Sequence, residues 1–283
     1  MIGAIIGDII GSAYKYQPIK SKDFPLFRKD CCFTDDTVMT LAVADAIMDG
    51  GQRIHFIVSL RMYGRMYLDA EYGSRFRRWL LSDWRGSFKS FGNGSAMRVS
   101  PCAWIRVPGE ETSTDFATSK ACELAIQSAV VTHSHPEGVR GALATAHAIW
   151  LCRQYHAGAF EKDQVKDLDD LKHLVRDEIE SSYGYDLSLP LCEIRPHYDY
   201  NETCPKTVPP AIRAFVESKN FEDAIRNAVS LGGNSETLAS IAGSIAEAAY
   251  GIPEEIESKA LSYLDGPLLD IVHRWKAFLH SVE

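Results

Sequence analysis

Thr34-Asp35-Asp36-Thr37 sets two adjacent carboxylates between two hydroxyls, four hard-oxygen side chains in about one turn of backbone. Placed in a cleft, such a group is costly unless a cation or a proton neutralises it. Residues 38–48 are almost wholly apolar, which also permits a plainer reading. Thr or Asp would then cap a helix N-terminus, with the acids at the positive end of its dipole. The same construction recurs far along the chain. Gly232-Gly233-Asn234-Ser235-Glu236-Thr237 is a tight turn carrying oxygen side chains, and 238–251 continue as small and apolar residues. Two such turns facing each other across a helical bundle would form one oxygen cage, the ligand set that hard divalent cations such as Mg²⁺ select.

Two further turns carry polar chemistry. Gly92-Asn93-Gly94-Ser95-Ala96-Met97-Arg98 lacks the Gly-Lys-Ser/Thr of a P-loop. A glycine-rich turn ahead of a helix can still offer backbone N–H groups to a phosphate, or serve as a plain turn with Ser95 as cap. Thr132-His133-Ser134-His135-Pro136 invites a zinc reading, but no third ligand stands at a recognisable spacing.

With the opening stretch Gly3-Ala-Ile-Ile-Gly7-Asp8-Ile-Ile-Gly11-Ser12, these make five short motifs in order, spread nearly end to end. Together they resemble the ADP-ribosylglycohydrolase family of the dinitrogenase-reductase-activating glycohydrolase type. The resemblance implies an all-α, single-domain fold with a two-metal site. It also implies hydrolysis of N- or O-glycosidic ADP-ribose linkages, two Mg²⁺ binding the ribose hydroxyls and positioning a water at the anomeric carbon. By matched position Thr34, Asp35, Asp36, Asn234, Glu236 and Thr237 form the metal shell, with Asp35 or Asp36 orienting or deprotonating the water. Gly92, Asn93, Gly94, Ser95, Met97 and His133 hold the diphosphate and ribose, and Asp8 supports the site from behind.

The chain departs from the family's Gly-Gly-Asp-x-Asp-Thr at Asn234 and Glu236, and Lys15 stands where the family often carries a glutamate. Asn234 brings no charge, Glu236 reaches further than an aspartate, and the Lys15 ammonium could occupy the place of the second cation. One divalent ion should therefore bind well and a second poorly, with Mn²⁺ or Ca²⁺ better tolerated than Mg²⁺. The alternative function is an ADP-ribose-binding protein of the same fold with reduced or lost hydrolysis. A purely structural role would leave the acid and glycine turns unexplained.

The totals set limits on the rest. The 283 residues, 46% hydrophobic, suffice for one sizeable core. No apolar run reaches the length of a bilayer span, and the first ten residues lack a basic stretch and carry Asp8, so they do not read as a signal peptide. Seven scattered cysteines fit reduced thiols and a cytoplasmic setting. A net charge of −8 with no basic tract argues against general nucleic-acid binding. The expected partner is ADP-ribose or an ADP-ribosylated macromolecule; the sequence does not set the oligomeric state.

The elements that must position these residues read as helices. Gly3, Gly7 and Gly11 share one face and permit close approach of a neighbour. A loop over 14–28, broken by Pro18 and Pro25, precedes a central helix over 38–48 that Gly50-Gly51 ends. Further helices are expected over 54–68, 115–131, 136–155, 171–182, 211–216, 221–229 and 267–281, with another opened by Pro253. Trp79 and Trp84 lead into a polar loop over 86–94, and 156–170 read as a polar connection. The proline-bearing stretch 183–210 reads as a long ordered loop, a candidate substrate wall in which Tyr183 or Tyr185 could stack on adenine or simply pack.

Overall fold

The closest helix pairing in the molecule is made possible by missing side chains. In the computed structural model, which describes residues 1–110, 112–161 and 164–282, α1 (Ile2–Ser12) lies along a helix near the other end of the chain, Ser235–Tyr250. A Cβ on Gly7 would sit 2.0 Å from the Ala239 carbonyl oxygen, and one on Gly3 would sit 2.2 Å from that of Gly243. The three glycines therefore set how near the two helices come. Glu247 locks the pair by accepting hydrogen bonds from the Ile2 and Gly3 amides, 3.2 and 2.8 Å, at the N-terminus of α1.

After α1 come α2 (Asp35–Met48), α3 (Arg53–Met66), α4 (Ser74–Leu81), α5 (Gly94–Met97), α6 (Lys120–Val130), α7 (Pro136–His156) and α8 (Leu168–Tyr183). They are followed by α9 (Leu191–Ile194), α10 (Cys204–Val216), α11 (Phe221–Val229), α12 (Ser235–Tyr250), α13 (Glu254–Leu261) and α14 (Gly266–Val282). The chain is 63% helical and has no strand among the described residues, so the all-α expectation holds. α2 and α12 are apolar nearly all round and sit at the centre, with α1, α7, α10 and α11 against α12 and with α3 and α14 against α2. Among the described residues no helix is long and apolar enough to cross a membrane.

Three expectations about elements need correction. The helix expected over 115–131 begins at Lys120, because the Ser119 hydroxyl caps it by accepting from Cys122 N at 3.1 Å; 116–118 form a separate 3₁₀ turn. α4 replaces part of the expected approach to the polar loop, burying only Trp79 and Leu80 and presenting its arginines outward. The stretch 183–210 is not one loop: α9 interrupts it, and α10 starts at Cys204 with Pro205 in its first turn and Pro209-Pro210 inside it. Proline at 210 leaves the Lys206 carbonyl without its usual partner. The Tyr198 hydroxyl donates to that carbonyl at 3.0 Å, which is how the helix carries its prolines.

Candidate active site

The acid turn is built around Asp8. This aspartate is wholly buried on α1 and accepts four hydrogen bonds. Thr34 N and Thr37 N donate to Oδ2 at 2.8 and 3.0 Å; Thr34 Oγ1 donates to Oδ1 at 2.6 Å and Thr37 Oγ1 to Oδ2 at 2.5 Å. Both threonines therefore face backwards, and the two aspartates between them turn towards a cavity. Thr34 also caps α2 by accepting from Asp36 N at 3.2 Å. The capping and the cleft readings of this tetrapeptide are thus both true of it, divided among its residues. Thr34 itself gives its hydroxyl proton to Asp8 and does not line the cavity.

The second turn meets the first directly. Gly232 and Gly233 have φ of 73° and 69°, the left-handed region that glycine adopts without penalty, and this swings the chain into α12. Ser235 ties that N-terminus to α1 by donating to the Gly11 carbonyl at 2.9 Å. Thr237 Oγ1 then donates to Asp36 Oδ2 at 3.0 Å, so the two turns share one cavity wall as the motif spacing implied. Asp36 Oδ1 is buried and meets no donor.

Lys15 reaches into the same space. Its ammonium lies 2.7 Å from Glu236 Oε1 and 2.9 Å from Glu71 Oε2. The groups around Asn234 orient its amide with the nitrogen 2.7 Å from Glu236 Oε1 and the oxygen 3.1 Å from Asn93 Nδ2. Glu236 thus already has two donors, one of them a full positive charge. Burial pushes its carboxyl up to about 7, with Lys15 pulling the other way. Burial likewise holds Asp35 and Asp36 well above the usual carboxylate range; Asp8 and Glu236 add repulsion at both, and Lys15 relieves Asp35.

By the chemistry of its oxygens this donor set would suit one hard cation better than two. Asp35, the unpartnered oxygen of Asp36 and the Thr237 hydroxyl are hard oxygens on one wall, and Mg²⁺ is commonly held by one or two carboxylates with water and ligand oxygens completing the shell. Glu236 and Asn234 are engaged with Lys15 and with each other. Among the described residues no three His, Cys, Asp or Glu side chains converge as a metal site.

The cavity measures about 310 Å³ and is lined by these acids together with Arg75, Arg98, Phe76, Phe88 and Tyr200. Gly92, Asn93, Gly94, Met97 and His133 line it as expected. The glycine turn is fixed by Asn93 N donating to Glu202 O at 2.7 Å and by Asn93 Nδ2 donating to Thr207 Oγ1 at 3.1 Å. His133 pairs through Nδ1 with Thr132 Oγ1 at 2.7 Å, and burial together with the nearby Arg98 keeps its imidazole neutral. His135 instead caps α7 through Nδ1, so the two histidines do not act as a pair. Arg98 is buried, donates to Ser128 O at 2.8 Å and Thr132 Oγ1 at 3.0 Å, and forms no ion pair among the described residues. Burial lowers its pKa to about 10, and its Nε is unpartnered.

Two expected ligand contacts are not brought to the cavity. Tyr185 is buried elsewhere in the core with an unpartnered hydroxyl, and Tyr183 reaches His147 at 3.3 Å. α8, which ends at Tyr183, packs on α7 and α10; the wall expected over 183–210 is formed further along, where Tyr200 and Glu202 line the cavity. Ser95 lies behind the glycine turn, donating to the Gly138 carbonyl at 2.6 Å. Glu71, Arg75, Phe76 and Phe88, which no motif or stretch singled out, also line the cavity. Glu71 alone left a trace in the backbone, a φ of 65° on a residue with a side chain.

Fold and cavity together define a helical hydrolase with its acids gathered at one end of a cleft. The chain belongs to the ADP-ribosylglycohydrolase family, whose model matches residues 1–279. It is similar to an ADP-ribosylarginine hydrolase, Tri1, of Pseudomonas putida strain GB-1, 25% identical over 93% of this chain and 73% of the relative. It is also similar to ADP-ribosylhydrolase ARH3 of Xenopus tropicalis, 24% identical over 94% of this chain and 91% of that protein. Among solved structures, one described as an ADP-ribosylglycohydrolase-related protein complex superposes with a TM-score of 0.60, covering 93% of this chain and 95% of that one at 24% identity, a likeness of fold.

Proposed function

We propose that this protein hydrolyses the glycosidic bond between ADP-ribose and a modified target, using one divalent cation held by Asp35, Asp36 and Thr237, with the Lys15 ammonium standing in for a second. The observation that carries the reading is Asp36: one carboxylate oxygen fixed by Thr237, the other buried and without a partner among the described residues, in the same cavity as the buried Arg98, which forms no ion pair among those residues. A bound Mg²⁺ would supply charge stabilisation and a more acidic, oriented water. The protein's own groups do the positioning. Arg98 and the glycine turn offer positive charge and N–H groups to a diphosphate. Neutral His133 can exchange hydrogen bonds with a ribose hydroxyl, and Phe76, Phe88 and Tyr200 present rings to a base. Asp35 is the carboxylate best placed to orient a water or take its proton, because Asp36 is already tied to Thr237.

Glu236 tied to Lys15 favours a second reading, an ADP-ribose-binding protein that turns over slowly or not at all. Calorimetric titration with ADP-ribose, with and without Mg²⁺, followed by an assay for ADP-ribose release from ADP-ribosylarginine, separates the two. Cation-dependent binding with release supports the hydrolase. Binding without release from any ADP-ribosylated probe supports the binding protein, and no binding of ADP-ribose overturns both.

A further inference from the structure

Beside the main cavity lies a second groove of about 310 Å³, lined by Arg75, Arg78, Trp79, Ser82, Trp84 and Phe88. Arg75 and Phe88 line both, so the two spaces share a wall. We infer that this groove binds a nucleotide unit of the target, so that the ADP-ribosylated partner is a single-stranded nucleic acid; this rests on the hydrolase reading of the neighbouring cavity.

The charge of the groove runs against that of the molecule, and the absence of a basic tract that argued against general nucleic-acid binding does not hold for this segment. Residues 74–89 carry five basic side chains (Arg75, Arg77, Arg78, Arg85 and Lys89) against one acid, Asp83, in a chain of net charge −8. Arg75 and Arg78 are exposed, and neither guanidinium makes a hydrogen bond or ion pair among the described residues. Nearby arginines are used differently. Arg61 stacks on Trp79 at 4.5 Å and donates to the Trp84 carbonyl at 2.5 Å, and Arg77 donates to the Leu68 carbonyl at 3.2 Å. Arg61 therefore builds the groove, whose own wall is mainly apolar, and the guanidinium groups of Arg75 and Arg78, without partners among the described residues, are left to meet an anion beside it.

The aromatic part of the groove is equally prepared. Trp84 is 55% exposed, which is unusual for so large an apolar ring. Its backbone is held by Arg61, and its ring leans on Gly86, where an added Cβ would sit 2.5 Å from the indole. An exposed indole lining the same groove as guanidinium groups that have no partner among the described residues is what single-stranded nucleic-acid sites use: bases stack on the ring and phosphates meet the cations. An acidic peptide would satisfy the arginines and leave Trp84 and Phe88 without a matching face. A groove joined to the main cavity through Arg75 and Phe88 can hold the nucleotide next to the modified one.

The test is fluorescence anisotropy with a labelled oligothymidine of about six nucleotides, with Arg78→Glu and Trp84→Ala variants and an acidic peptide of equal charge as competitor. Neither Arg78 nor Trp84 lines the main cavity, so calorimetry with free ADP-ribose should give the same affinity in both variants. The oligonucleotide is expected to bind with an affinity that falls as salt rises, and each variant should weaken it about tenfold. Absence of binding, equal binding by the variants, or equally tight binding of the peptide would overturn the inference; the last would assign the groove to an acidic protein. The ADP-ribose arm judges the main cavity separately: oligonucleotide binding without ADP-ribose binding would sink the hydrolase reading and, with it, the link to an ADP-ribosylated strand.

Discussion

Lys15→Ala removes the ammonium that reaches the acids of the cavity. In the native protein it lies 2.7 Å from Glu236 and 2.9 Å from Glu71, with side-chain exposures of 11%, 2% and 41% for the three groups. Removing one partner of a buried ion pair typically costs ~3–5 kcal/mol. Here the loss is smaller, because Asn234 remains as a donor to Glu236 and a carboxyl already near pKa 7 can take up a proton. About 1–3 kcal/mol is expected at neutral pH, or a melting temperature lower by roughly 5 °C for a chain of this size. A divalent ion should recover more in the variant than in the native protein, since a ligand at 100 times its Kd contributes about 2.7 kcal/mol and the freed Glu236 becomes available to it. Calorimetry with Mg²⁺ should find one tight site in the native protein. Stoichiometry should rise when Lys15→Glu is combined with Asn234→Asp and Glu236→Asp. Two tight sites in the unmodified protein, or an unchanged stoichiometry in the triple variant, would refute the argument that Lys15 holds the second position.

Asp36→Ala should abolish cation-dependent ADP-ribose binding while leaving thermal stability nearly unchanged, because it removes a buried charge that desolvation already disfavours; a collapse in melting temperature would instead mark the residue as structural. Asp8→Ala strands two hydroxyls and two amides, so a loss of about 3–5 kcal/mol in denaturant unfolding is expected together with loss of ligand binding. Gly7→Ala forces a Cβ to 2.0 Å from the Ala239 carbonyl and should cost at least ~3 kcal/mol by prising α1 from α12. The pH dependence has a fixed sign. Glu236 binds its proton more tightly folded than unfolded, so the metal-free protein should lose stability as pH rises from about 4.5 to 7 and level off above. In isolation the loss is roughly 3 kcal/mol, and urea melts of Glu236→Gln should show a flatter profile.

How far the sequence disclosed this arrangement depended on the range of the interaction concerned. The Gly3, Gly7 and Gly11 spacing is a local pattern, and the close contact with α12 follows from it. The two oxygen-bearing turns announced themselves because each precedes an apolar helix, and Thr237 and Asp36 do meet. The place of Lys15 came from matched position, and its partnership with Glu71 could not have been read, since Glu71 stands in no motif and is brought there by the fold. α10 was hidden by Pro209 and Pro210, whose cost is offset by a distant tyrosine hydroxyl that no local rule contains. Tyr185 misled because an aromatic residue in a proline-rich stretch looks the same whether it packs inward or faces a ligand. The aromatic residues that do line the cavity, Phe76, Phe88 and Tyr200, come from α4 and two loops.

The most direct test of the central claim is a crystal structure of the native protein soaked with Mn²⁺ and ADP-ribose, read by the anomalous signal of the metal. One peak is predicted, bonded to Asp35, Asp36 and Thr237, with the ribose beside it, the diphosphate near Arg98 and the Lys15 ammonium still on Glu236. Two peaks of equal strength with Lys15 displaced, or ADP-ribose bound away from the two turns, would contradict it.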